Sequence, residues 1–154
     1  MTSRVYVALR VAASPERAFQ VFTEEIGAWW SPSMLFQTTP RAPGRLAFEG
    51  GPGGRLTETL ASGKVFEIGR ILAWEPPIRL LFSWRQASFP PELTTEVEVR
   101  FENMGEETRV SVGHRGFDRV PAENAARHGF PDQVLLMRLA DWWRQQLRSM
   151  GRQA

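Results

Sequence analysis

A strict alternation of apolar and charged residues from Thr94 to Glu102 constrains the fold more than any other feature of this sequence. The alternate positions on one side of this segment are Thr95, Val97, Val99 and Phe101. A period of two places these side chains on one face of a β-strand and the charged side chains on the other. Gly105 then turns the chain into a second predicted strand, Glu107 to Arg115. The two strands predict a sheet with one buried face, which another element must cover.

Five further segments are predicted as strands because they alternate or lie between turn residues. They are Arg4 to Val11, Arg45 to Glu49, Arg55 to Leu60, Lys64 to Trp74 and Ile78 to Arg85. The glycine-rich residues 50–54 suit a hairpin turn, and they lack the lysine and Ser/Thr of a phosphate-binding loop. Consecutive strands joined by short turns predict an antiparallel sheet.

Three helices complete the predicted order of elements. Ser14 and Pro15 are typical of a helix start, and a second helical turn from Glu24 to Trp30 ends before Pro32. A long C-terminal helix begins near Pro131 and ends near Gly151. Its apolar residues recur at spacings of three and four, which predicts one buried face: Leu136, Leu139, Trp143, Leu147 and Met150. Segregated helices beside an antiparallel sheet predict an α+β fold.

Length and composition favour one domain spanning residues 1–154, with enough hydrophobic residues (42%) to bury a core. No run approaches the roughly 18 apolar residues that a membrane span needs. The N-terminus alternates like a strand and does not resemble a signal peptide, so we expect a cytoplasmic protein. Without cysteine, thiolate zinc sites and cysteine nucleophiles are excluded, and the two histidines match no metal motif.

The charge distribution does not favour nucleic-acid binding. The formal net charge is only +2, and the arginines are scattered among 17 acidic residues. Arg144, Arg148 and Arg152 align at helical spacing near the C-terminus, where basic side chains are favourable on a solvated helix face. We therefore expect neither a nucleic-acid partner nor a membrane span.

Several strings together resemble the SRPBCC or START-like superfamily, and within it the branch named after the activator of the heat-shock-protein-90 ATPase. They are Thr23 to Pro32, Gly69 to Pro77, Phe82 to Trp84, Thr95 to Phe101 and His114 to Phe117. The resemblance implies a helix-grip fold, in which a curved sheet of about seven strands surrounds the C-terminal helix and encloses an apolar cavity. One departure is Gly129-Phe130, where family members often have Gly-Trp.

Two polar residues, Glu58 and His114, are predicted on the inner face of the sheet. Glu58 shares its strand face with Leu56, and His114 occupies the inward position after Val112. Because both are at inward positions of their strands, we expect the two to face one interior, where a buried carboxylate either holds a partner or has a raised pKa. Arg70 is the third member of this group if no bulge alters the alternation in its long strand. They could orient a ligand, form an acid/base pair, or be satisfied by other groups in a packed core.

The residues predicted to line the cavity are Trp29, Trp30, Phe48, Glu58, Arg70, Trp74, Phe82, Trp84, Val97, Val99, Val112, His114, Leu136, Leu139 and Trp143. Of Trp29 and Trp30, we expect one to face the cavity mouth. The leading hypothesis is a non-catalytic protein that binds a small hydrophobic or aromatic ligand, with no cofactor and no catalytic residue. A homodimer is also considered. The alternatives are a cyclase- or aromatase-type enzyme that uses Glu58 or His114, and a chaperone-associated interaction module.

Overall fold

Seven strands form one antiparallel sheet in this computed structural model, which describes residues 4–40 and 43–154. The strands are β1 (Arg4–Val11), β2 (Arg45–Phe48), β3 (Arg55–Thr59), β4 (Val65–Glu75), β5 (Arg79–Trp84), β6 (Thr95–Met104) and β7 (Glu107–Arg115). Their order across the sheet is β1-β7-β6-β5-β4-β3-β2. From β2 to β7 each strand therefore pairs with its neighbour in sequence, while β1 joins the sheet beside β7. The predicted α+β class and the antiparallel sheet of seven strands are confirmed.

Two short helices connect β1 to β2, and one long helix ends the chain. They are α1 (Pro15–Glu24), α2 (Ile26–Trp29) and α3 (Asp132–Gln153). Ser14 caps α1 by accepting a hydrogen bond from the Arg17 amide at 3.1 Å, and Pro15 occupies the first turn. None of the described helices is long and apolar enough to cross a membrane.

The buried face of α3 is wider than the predicted face, because Trp142 and Gln146 are also buried, and it differs from that face at one leucine. Leu139, Trp143, Leu147 and Met150 are buried as expected, but Leu135 is buried (1% exposed) where we expected Leu136. Leu136 is half-buried at the edge of the core. Both leucines stand at helical spacing from Leu139, so the period alone does not distinguish them.

A β-bulge in β4 reverses the faces on which its side chains lie. Leu56 pairs with Gly69 while Thr57 pairs with Glu67, which leaves one extra residue in β4. Gly69 is required here, because a Cβ atom would lie 1.6 Å from the Ser83 carbonyl oxygen. After the bulge Arg70 lies on the exposed face, where its guanidinium contacts Glu67 at 3.2 Å. The prediction that Arg70 faces the interior is therefore wrong.

Candidate functional site

The space between the sheet and α3 is filled by aromatic rings, which we call the aromatic cluster. Its members are Trp30, Phe36, Trp84, Phe89, Phe117, Trp142 and Trp143. Trp84 on β5 lies 5.6 Å from Trp142 on α3, measured between ring centroids. The inward side chains beside the cluster are fully buried: Val97, Val99, Val112 and Leu139. Most residues predicted to line a cavity thus pack against one another.

The neighbouring tryptophans Trp29 and Trp30 have different environments. Trp29 is buried, and its indole N–H donates to the Val21 carbonyl at 2.8 Å. Trp30 is half-buried, and its ring lies 5.6 Å from that of Trp142 and 5.9 Å from that of Trp143. Trp30 is therefore the member of the pair that joins the aromatic cluster.

The remaining aromatic residues of the predicted lining lie beside α1. The rings of Phe48 and Phe82 are 5.3 Å apart, and the ring of Trp74 packs edge-on against Phe19 at 5.1 Å. Trp74 also lines an outer cleft of about 550 Å³ between α1 and Pro76-Pro77. The predicted lining is thus divided between two packed regions.

His114 is held in one tautomer by a chain of hydrogen bonds. The Trp143 indole N–H can only donate, and it lies 3.0 Å from Nδ1 of His114, so Nδ1 is the unprotonated nitrogen. Nε2 therefore carries the proton and donates to the Thr95 hydroxyl at 2.7 Å. The Thr95 hydroxyl in turn donates to the Trp84 carbonyl at 3.1 Å. Both ring nitrogens of His114 are thus partnered inside the core.

Burial keeps His114 neutral. Desolvation lowers its pKa from 6.5 to about 3. The Trp143 contact acts in the same direction, because a proton on Nδ1 would face the indole N–H. His114 is consequently a poor proton donor or acceptor near neutral pH.

Glu58 is buried (2% exposed) and is satisfied by a different set of partners. One carboxylate oxygen accepts a hydrogen bond from the Thr38 hydroxyl at 2.5 Å, and the other accepts from the Gly44 amide at 2.8 Å. Strands β4, β5 and β6 separate Glu58 on β3 from His114 on β7. Within the described residues no hydrogen bond joins Glu58 to His114, so the expected coupled pair is not assembled.

A cleft of about 400 Å³, here called the loop cleft, opens beside the aromatic cluster. Its lining residues come from three loops: Met34, Leu35, Gln37, Thr38, Thr39, Pro40, Gln86, Ala87, Ser88, Ala125, Ala126 and His128. Phe36, between two of these residues, packs its ring 5.1 Å from that of Trp142. The first loop therefore separates the cleft from the aromatic cluster.

Hydrogen bonds fix the three loops to one another. The Gln86 side-chain amide donates to the Gln37 carbonyl at 2.8 Å, and the Ala87 amide donates to the Thr38 carbonyl at 2.7 Å. His128 donates from Nε2 to the Leu35 carbonyl. Glu58 is connected to one wall of the cleft by its hydrogen bond from Thr38.

No pattern in the sequence predicted the loop cleft. One signal was available: Gln86 extends the inward alternation of Phe82 and Trp84 two residues beyond the end of β5. The other walls are formed by residues within 34–40 and 125–128, whose path no periodic pattern specifies. Within the described residues no group of three acidic or histidine side chains could hold a metal ion.

The comparison that decides the family is a sequence match over most of the chain. The profile of the family described as activator of Hsp90 ATPase homolog 1-like protein matches residues 12–144. This chain belongs to that family. The resemblance to this branch and the helix-grip arrangement of a seven-stranded antiparallel sheet with a C-terminal helix are thereby confirmed, and the enclosed apolar cavity stays a prediction. A search of curated proteins found no match.

Solved structures of low sequence identity share the fold. Protein MLL2253 from Mesorhizobium loti is 19% identical, with a TM-score of 0.67 over 97% of this chain and 95% of that one. PFC0360w, an HSP90 activator from Plasmodium falciparum, is 19% identical, with a TM-score of 0.60 over 92% and 88%. The Aha1 dimer from Colwellia psychrerythraea is 17% identical, with a TM-score of 0.61 over 97% and 93%.

Proposed function

We propose that this protein binds a small hydrophobic or aromatic molecule in the loop cleft without transforming it. The observation that carries this proposal is a cleft of about 400 Å³, within the size range of small-molecule sites. Much of its wall is apolar, from Met34, Leu35, Pro40, Ala87 and Ala126. Burial of an aromatic ring against such a wall supplies the driving force for binding.

The two polar residues of the interior favour binding over catalysis. His114 is neutral, and both of its nitrogens are engaged by Trp143 and Thr95. Glu58 is engaged by Thr38 and Gly44. A proton-transfer reaction needs an acid or base within reach of the substrate, and neither residue lines the loop cleft. The pair Glu58 and His114, on which the cyclase or aromatase alternative depends, therefore does not support it.

The packing of the interior also favours the loop cleft over the predicted central cavity. A ligand between the sheet and α3 would have to displace rings such as Trp84 and Trp142, whose centroids are 5.6 Å apart. Separating packed aromatic rings costs free energy that binding in an open cleft does not. In this proposal Trp84, Trp142 and Trp143 support the cleft from behind through Phe36.

A filled-cleft variant tests the site. Ala125→Trp introduces a large side chain at an exposed position of the cleft wall, and we expect it to weaken binding of 2-methoxynaphthalene at least about ten-fold in a fluorescence titration. Ala61→Trp, at an exposed turn outside the loop cleft, is the matched control and should bind like the wild type. Undetectable binding to the wild type, or equal affinities of all three proteins, contradicts the proposal.

A second candidate is a role as a chaperone-associated module, favoured by the family description and by the similarity to PFC0360w. The dimeric Colwellia relative adds the possibility that a second copy of this chain is a partner. Light scattering of the purified protein distinguishes a homodimer from a monomer. Stimulation of an Hsp90 ATPase by this chain would support the second candidate, and an unchanged ATPase rate would count against it.

A further inference from the structure

Two polar atoms on residues of the loop cleft have no hydrogen-bond partner within residues 4–40 and 43–154. They are Oε1 of Gln86 and Oγ1 of Thr39. Gln86 is 4% exposed and Thr39 is 6% exposed, so both side chains are more than nine-tenths buried. Buried polar groups in folded proteins are nearly always paired. Two unpaired groups on one cleft point to a ligand that completes them.

The orientation of the Gln86 amide follows from its neighbour. A carbonyl oxygen accepts hydrogen bonds, so the atom 2.8 Å from the Gln37 carbonyl must be the donor Nε2. This leaves Oε1 as an acceptor that lacks a donor. The Thr39 hydroxyl can donate or accept. The polar end of the cleft therefore calls for at least one hydrogen-bond donor on the ligand.

The charge of the lining restricts the ligand further. None of the described residues around the loop cleft is an aspartate, glutamate, lysine or arginine. Among the described lining residues, the Nε2–H of His128 is directed to the Leu35 carbonyl. An ionic ligand would lose its hydration without gaining an opposite charge. The lining therefore favours a neutral molecule.

We propose that Gln86 is the polar anchor of the loop cleft, and that its Oε1 accepts a hydrogen bond from the hydroxyl or N–H of a neutral aromatic ligand, with Thr39 as the second contact. This inference rests on the proposed function and names its ligand class. Because both atoms are out of contact with solvent, binding requires the loop at residues 37–40 to shift enough to admit the donor. Thr38 in that loop is held by Glu58 and by the Ala87 amide.

A matched pair of probes tests the anchor. 2-Naphthol and 2-methoxynaphthalene share one ring system, but only the first carries a donor. We expect the wild type to bind 2-naphthol about five-fold more tightly, the ratio that one net hydrogen bond provides. Gln86→Met removes the acceptor and should bring the ratio close to one. Thr39→Val should reduce this affinity ratio by less. Gln145→Met, at an exposed position of α3, is the matched control and should keep the wild-type ratio.

The outcomes distinguish a failure of the Gln86 anchor from a failure of ligand binding in the loop cleft. Equal affinity of the wild type for both probes overturns the anchor and leaves the proposed function standing, whereas binding of neither probe overturns both. A preference that persists in Gln86→Met also overturns the anchor. If Gln86→Met does not fold, NMR of the wild type provides the test, through the chemical shift of the side-chain carbonyl carbon of Gln86 with each probe. A larger shift of its ¹³C resonance with 2-naphthol than with 2-methoxynaphthalene supports the anchor, and equal shifts overturn it.

Discussion

His114 and Gln86 are both buried polar residues, His114 on the inner face of β7 and Gln86 two residues beyond the end of β5, yet their surroundings differ. His114 uses both ring nitrogens, in a hydrogen-bond chain from Trp143 through Thr95 to the Trp84 carbonyl. Gln86 uses its amide nitrogen, but its oxygen has no partner within the described residues. A completed network stabilises a core, whereas an incomplete one on the wall of a cleft can accept a ligand. We therefore assign a structural role to His114 and a binding role to Gln86.

The largest effect is expected from breaking the completed network at Trp143. Trp143→Ala removes a fully buried ring from α3 and the donor to His114, so we expect a loss of about 3–5 kcal/mol in the free energy of unfolding. Arg148→Ala, on the exposed face of α3, should change it by only about 0.5 kcal/mol. Urea denaturation measures both. The reverse order would mean that the buried face of α3 is assigned wrongly.

Acid should destabilise the His114 network next most strongly. The pKa of His114 is about 3 in the folded protein and near 6.5 when unfolded, so below pH 6.5 the unfolded state binds more protons. The contribution of His114 to stability should fall progressively as pH decreases from 6.5 towards 3. His114→Phe removes the titrating group. Stability curves for both proteins should differ in slope over this range, and parallel curves would contradict a neutral, buried His114.

Two threonine variants should have smaller effects on stability, and together they compare a paired hydroxyl with an unpaired one. The Thr95 hydroxyl links His114 to the Trp84 carbonyl, so Thr95→Val should cost about 1–3 kcal/mol by leaving buried partners unpaired. The Thr39 hydroxyl has no partner within the described residues, so Thr39→Val should change stability by less than about 0.5 kcal/mol. Thermal and urea unfolding of both variants provide the comparison. Equal losses would show that the two hydroxyls do not differ as described.

Local periodicity predicted most of the fold because each strand and helix buries one face. The predicted bounds of β1 and β7 agree residue for residue with the structure, and the other strands agree within two residues. Arg70 was misplaced because the bulge before it depends on how β3 and β4 pair, which a single strand does not encode. Leu135 and Leu136 both fit the helical period, so packing alone distinguishes them.

The candidate site was less predictable than the fold. Glu58 and His114 were correctly expected to be buried, but their partners, Thr38 and Trp143 among them, come from other parts of the chain. The loop cleft is formed by three loops whose contacts are long-range, such as that between Gln86 and Gln37. Alternation identifies which residues point inward. It does not reveal which of them remain without a partner.

The most direct test of the account is an NMR map of where 2-naphthol binds. The cleft and the interior carry distinct reporters: backbone amides of Ala87, Ala125 and Ala126 for the loop cleft, and indole N–H groups of Trp84 and Trp143 for the interior. We predict saturable shifts of the cleft amides with small shifts of the two indoles. Large indole shifts with unchanged cleft amides would place the ligand between the sheet and α3 and contradict the assignment of binding to the loop cleft.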